Sequence, residues 1–243
     1  MAKLVQKSGY IKSGKASGYM RYIATREGVE KLAGNGAVTK GQRELIQKLL
    51  HDFPDAVELF EYEDYCRTPT LGTASAFISM ALDANLHEID PESGYMLYIA
   101  TRPRVQKRGT HGLFSSATAV DLASAISELE AHEGNVWTII YSLRREDAAR
   151  LEFDNADAWR TLLMENAPTL AKSMKISLNN FHWYAAFHDE GHHPHIHMMV
   201  WSDDPKEGFL TKGGIAAMRS KLTNAIFRDE MQQIYERKDV AYS

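Results

Sequence analysis

Five histidines fall within ten residues, from His188 to His197. Two of them, His195 and His197, are separated only by Ile196, in an apolar run that ends at Trp201. Side chains alternate faces along a strand, so this spacing sends both imidazoles to the same side. A second apolar run, Trp183 to Phe187, precedes the cluster, and the polar Asp189-Glu190-Gly191-His192 lies between the two. Two such runs around a polar turn predict a β-hairpin. His188, ending the first strand, would then meet His195 and His197 on the second. Three imidazoles converging on one sheet face make a divalent-metal site. The plainer reading is a solvated His-rich loop. Against it, imidazoles without partners inside an apolar strand would cost stability, which favours a metal or catalytic role.

Neutral imidazoles leave an ion's charge intact, so it remains a strong Lewis acid for a phosphate oxygen. Phosphodiester chemistry there needs a nucleophile, and water and a tyrosine hydroxyl are both candidates. A tyrosine with its ordinary pKa near 10 needs a base or a positive field. Tyr22 has Arg21 and Arg26 beside it and Lys12 and Lys15 upstream. These cations would lower its pKa and also hold DNA phosphates. Tyr22 lies in a repeat: Gly18-Tyr-Met-Arg-Tyr-Ile-Ala-Thr-Arg26 returns as Gly94-Tyr-Met-Leu-Tyr-Ile-Ala-Thr-Arg102, differing only at Arg21 and Leu97. Two copies so far apart are not a solenoid. They predict either two short helices with the same packing face or two tyrosines, Tyr22 and Tyr98, of which one or both work. Pro103 should stop the second helix near Arg102.

The 243 residues suffice for one large domain or two small ones, and no Gly/Ser linker divides them. One cysteine, Cys66, allows no intrachain disulfide. The first ten residues lack the apolar core of a signal peptide, and no apolar run approaches membrane-spanning length. The expectation is a cytoplasmic protein with no membrane partner. The net charge of −4 opposes nucleic-acid binding, but the charge is segregated. Residues 1–50 hold ten Lys/Arg against three Glu, a net of +7, whereas residues 51–65 hold six acids and no Lys/Arg. A second basic run covers Arg102 to Arg108. Segregation of this kind can build a basic face for phosphates, although both runs also suit solvated helix ends.

Lys3 to Tyr10 reads as a short edge strand, and Ser13 to Gly18 as a flexible basic loop. Tyr19 to Leu32 reads as a helix stopped by Gly34. Thr39 and Gln42 form a capping box ahead of Leu45, Ile46, Leu49, Leu50 and Phe53 at helical spacing. Further helices are expected over Thr73–Asn85, Ala117–Glu133, Asn155–Met174 with a break at Pro168, and Thr211–Arg237. In the last of these Ile215, Met218, Leu222, Ile226 and Met231 form the stripe. Asn135 to Leu143 is β-branched-rich and predicts a central strand.

Taken together, His188, Glu190 and Pro194-His195-Ile196-His197, with an early Tyr22-Ile-Ala-Thr-Arg26-Glu-Gly28, resemble the HUH endonucleases. Within that superfamily they resemble the conjugative relaxases of the MobP/MobL type. The order, tyrosine early and histidines late, fits relaxases. The resemblance implies an α+β fold with a central, mostly antiparallel sheet flanked by helices. It implies that Tyr22 is the nucleophile and that Mg²⁺ or Mn²⁺ is the cofactor. The implied reaction nicks a single strand or hairpin at an origin of transfer, leaving a 5′-phosphotyrosyl link and a free 3′-hydroxyl. Other mobilisation or coupling proteins are implied as partners. Residues 1–243 would form one nicking domain, either alone or as the N-terminal part of a longer chain, since relaxases usually carry further domains. Many relatives have Asn in place of His193 and Asp in place of Glu190. His193 then becomes an extra ligand, a proton carrier or an exposed turn residue, the last two being favoured. Glu190 or Asp189 could orient a ligand imidazole.

Two other functions use the same residues. His193-Pro-His195-Ile-His197-Met-Met199 also fits the histidine-triad nucleotide hydrolases, in which histidine is the nucleophile. A non-catalytic DNA-binding or metal-stabilised module is the third reading, but a structural zinc site normally closes four ligands, often with cysteine. Tyr19 and Tyr98 are alternative nucleophiles. Arg104, Arg108, Arg144 and Arg145 join Lys12, Lys15, Arg21 and Arg26 as candidate DNA contacts, Arg144-Arg145 as a phosphate clamp. His111, in a Gly-rich loop, is a weaker DNA candidate. Trp137, Trp159 and Trp183 are expected in the core. Trp201, in phase with His195 and His197, either packs or borders the site.

Overall fold

The computed structural model describes residues 3–10, 35–85, 96, 99–100, 105–107, 109–189 and 193–228. The described residues form an α+β fold around a five-stranded sheet. Its strands are β1 (Val5–Tyr10), β2 (Leu113–Phe114), β3 (Trp137–Ser142), β4 (Phe181–His188) and β5 (His195–Ser202), in the order β1-β3-β5-β4-β2. Every neighbouring pair is antiparallel. The expected edge strand is β1. The expected central strand is β3, which is interior, while β5 occupies the middle.

Seven α-helices flank the sheet among the described residues: α1 (Lys40–Asp52), α2 (Phe60–Arg67), α3 (Leu71–Ala84), α4 (Leu122–Glu130), α5 (Arg145–Arg150), α6 (Ala156–Ser173) and α7 (Lys212–Ile226). The Thr39/Gln42 capping box starts α1 as expected, and a Thr70/Thr73 box starts α3. Helix α4 begins five residues later than Ala117 because Asp121 caps it by accepting from the Ser124 amide. Helix α7 starts at Lys212, one residue after the expected start at Thr211, which caps it; the part of that expectation beyond residue 228 lies outside the described residues. The helix expected at Tyr19–Leu32 and the loop at Ser13–Gly18 also lie outside them.

Pro168 does not break α6, contrary to the sequence expectation. Proline removes one helical N–H and frees the carbonyl four residues back. Here both Pro168 and Met164 are on the exposed side, where water can take that carbonyl.

The two faces of the sheet bury different layers. Ile139, Tyr141, Phe187, Ile196, Met198 and Val200 point into an apolar cluster with α6 and α7. Ile140, Ala186, Met199 and Trp201 point the other way, into a cluster with α1, α3 and α4. The strand period of two also assigns His188, His195 and His197 to this second face. Met96, Ile99 and Ala100, all from the second copy of the repeat, are helical and fully buried in the same cluster. Their i, i+3, i+4 spacing is that of a packing face. The first copy lies outside the described residues.

Candidate metal centre

Strand pairing brings the histidines together. His188 is the last residue of β4 and sits directly opposite His195, the first of β5; His197 is opposite Ala186. One ring nitrogen from each of His188, His195 and His197 lies within 4.8 Å of the others. Ring centroids are 5.2 Å apart for His188–His195, 4.6 Å for His188–His197 and 5.0 Å for His195–His197. All three rings are at most 1% exposed. This is the convergence the hairpin predicts.

Backbone carbonyls decide which nitrogen faces inward. A carbonyl only accepts, so the imidazole nitrogen beside it must carry the proton. His188 Nε2 donates to the Ile99 carbonyl at 2.9 Å. His195 Nδ1 donates to the His193 carbonyl at 3.0 Å. In the neutral rings, lone pairs therefore remain on His188 Nδ1 and His195 Nε2. Ligating histidines are commonly held this way, with the second nitrogen bonded to a carbonyl or carboxylate. The three converging imidazoles could hold a divalent transition-metal ion, which prefers nitrogen donors of this kind.

The Ile99 carbonyl belongs to the second copy of the repeat, so that copy positions a histidine of the cluster. Val105 bridges His188 from the same side, and the Gly112 amide donates to the Ala100 carbonyl. A Cβ at Gly112 would come within 2.1 Å of Val105 Cγ2, so only glycine allows this segment to close on His188.

His193 departs from the expected exposed turn residue. It is 5% exposed, its ring stacks on Phe60 of α2 at 5.3 Å, and its Nε2 meets Asp64 Oδ2 at 2.7 Å. Burial alone would raise the Asp64 carboxyl, but the hydrogen bonds from His193 and Arg144 outweigh it and hold Asp64 below the usual carboxylate range. Asp189, considered above as an orienting carboxylate, is exposed and binds Arg145 at 2.6 Å instead. The carboxylate that meets His193 is Asp64, which the sequence reading missed. It lies in the acidic stretch 51–65, read there only as charge segregation, and nothing local marks it as a partner for a histidine 129 residues away.

Arg144 and Arg145 do not present an open phosphate clamp. Arg144 contacts Glu63 at 3.0 Å and Asp64 at 3.2 Å, with its guanidinium 4.7 Å from the Phe60 ring centre. Both charges are engaged by carboxylates. His111 is buried, accepts from the Leu113 amide and contacts the Val120 carbonyl, a structural rather than a DNA-facing placement. Trp159 and Trp183 are core residues as expected, and Trp137 is half-buried, donating to the Gly208 carbonyl. Trp201 is buried between His182 and Tyr184, farther along β5 from the three histidines.

Two tyrosines on the sheet are poorly placed to act as nucleophiles. Tyr141 points into the opposite layer, and burial pushes its phenol well up. Tyr184 is raised to about 12, by burial first and then by donating its hydroxyl proton to Glu128. Lys12, Lys15, Tyr19, Arg21, Tyr22, Arg26, Tyr98, Arg104, Arg108 and Glu190 lie outside the described residues. Among the described residues, no helix is long and apolar enough to cross a membrane.

No curated protein and no solved structure matches the chain. The family model of the MobL relaxases matches residues 1–242. The matched span takes in the histidine hairpin, the sheet that carries it and both copies of the tyrosine repeat, and the chain belongs to the MobL relaxases, enzymes that nick DNA for mobilisation.

Proposed function

We propose that this relaxase cuts one DNA strand at an origin of transfer by tyrosine transesterification. The supporting observation is the convergence of three buried imidazoles on one hairpin, two of them oriented by backbone carbonyls. His188, His195 and His197 would hold a divalent ion. An all-nitrogen donor set prefers transition-metal ions to Mg²⁺, so Mn²⁺ is the ion to test first. When bound, the ion would withdraw charge from a non-bridging oxygen of the scissile phosphate.

The nucleophile is Tyr22. Its oxygen attacks phosphorus, the bond from phosphorus to the 3′ oxygen breaks, and the tyrosine proton is lost while the 3′ oxygen gains one. The products are a 5′-phosphotyrosyl protein and a free 3′-hydroxyl. Bond types are conserved, so the reverse reaction reseals the strand. Lys12, Lys15, Arg21, Arg26, Arg104 and Arg108 hold the phosphates of the single strand or hairpin. Glu190 remains a candidate acid, base or orienting group. Residues 1–243 act as one nicking domain in the cytoplasm, handing DNA to other mobilisation or coupling proteins.

The test is covalent capture. A single-stranded origin oligonucleotide with Mn²⁺ should yield a protein–DNA adduct that survives denaturing electrophoresis. Tyr22→Phe should abolish the adduct and leave DNA affinity nearly unchanged, because only a hydroxyl is lost. An undiminished adduct would move the nucleophile to Tyr19 or Tyr98. Cleavage with no adduct from the unaltered protein would return water, or a histidine, as the attacking group.

A further inference from the structure

We propose that Asp64 and His193 are positioning residues that set the orientation of His195 from outside the metal-binding trio. The inference rests on the metal reading above and adds the device that aims one of its ligands.

The argument follows a closed circuit of contacts. Phe60 and Asp64 are four residues apart on α2, hence on one helix face. His193 lies against that face, its ring on Phe60 and its Nε2 on Asp64. The carbonyl of the same His193 accepts from His195 Nδ1 at 3.0 Å. One residue thus joins α2, through its side chain, to the ring of His195, through its backbone. Pro194 stands between them; its ring fixes its own φ and disfavours helical backbone at His193. The Pro194 carbonyl accepts from the Leu143 amide at 3.2 Å, and Arg144, the next residue, returns to Asp64 and Phe60. Asp64, His193, Pro194, Leu143 and Arg144 close on themselves. The circuit fixes the carbonyl that keeps the proton on His195 Nδ1 and the lone pair on Nε2.

The test measures Mn²⁺ affinity by calorimetry, without DNA, in the whole protein and in the variants His193→Ala, His193→Gln, Asp64→Ala and Asp64→Asn. Metal-free stability is followed by urea unfolding in chelator. Removing an orienting partner typically weakens metal affinity about 10–100-fold, and that loss is expected for His193→Ala and Asp64→Ala. His193→Gln, whose amide can still donate to Asp64, should recover part of it. Asp64→Asn keeps an accepting oxygen and the side-chain shape; it should fold and show an intermediate loss. The Co²⁺ absorption spectrum should change in His193→Ala, because the angle of one ligand is altered. Unchanged Mn²⁺ affinity and an unchanged Co²⁺ spectrum in folded variants would overturn the proposal and leave a stability role only. Failure of the unaltered protein to bind Mn²⁺, or full binding by His195→Ala, would instead sink the metal reading itself.

Discussion

The two faces of the β4–β5 hairpin share one backbone and are built to opposite ends. On one face Phe187, Ile196, Met198 and Val200 lock into α6 and α7. On the other, the same strands carry His188, His195 and His197, three polar rings that are at most 1% exposed. Polar groups taken from water need compensating partners, whereas apolar groups gain by leaving it. The apolar face therefore supplies the rigidity, and the histidine face uses it to hold groups that stabilise the fold far less.

His197→Ala should show the largest effect. Mn²⁺ binding and nicking should be lost together, while metal-free stability changes little. The unaltered protein should also melt several degrees higher in saturating Mn²⁺, since a ligand at a hundredfold its Kd adds about 2.7 kcal/mol, and the variant should not. A thermal shift that survived in the variant would place the ion elsewhere. Met198→Ala, one residue on and facing the other way, should do the reverse. A buried Met→Ala change costs about 2–5 kcal/mol, while Mn²⁺ affinity of the folded fraction should stay within a few-fold. Equal losses of stability in both variants would erase the distinction between the faces.

The smallest effect lies at the other end of the hairpin. Glu207 is lowered to about 2, by the Ser177 hydroxyl first and then by the Ser202 hydroxyl, despite some opposing desolvation. Its folded pKa is depressed, so the stability it adds is present above its ordinary value of 4.5 and is lost as pH falls toward 2. Glu207→Gln should therefore be slightly less stable at neutral pH, with a flatter acid limb that meets the unaltered protein's curve as pH falls toward 2. A steep limb in the variant would assign the acid sensitivity to other carboxylates.

The hairpin was legible because its signals are local: a two-residue histidine spacing, two apolar runs and a polar turn. The capping box at Thr39 and Gln42 was legible for the same reason. Pro168 misled because sequence alone does not say which side of a helix meets water. The partners of the histidines were hidden for a different reason. Asp64 acts on His193 from helix α2, far away in the sequence, and the group that meets His188 is the carbonyl of Ile99, an atom every residue has. The repeat was visible as a repeat, but the contribution of its second copy depends on where the chain passes, not on which residue is there. Arg144 looked like a phosphate ligand because its carboxylate partners, Glu63 and Asp64, lie some 80 residues away.

The separation of 129 residues between Asp64 and His193 also bears on how the enzyme matures. The hairpin that carries the three histidines is local and can pair early, while contacts so distant in the chain form slowly. A nascent or partly folded chain could therefore own the ligands before it owns their alignment. Competence to load metal would arrive as a late folding event, after α2 has docked, so metal uptake should lag behind hairpin formation during refolding.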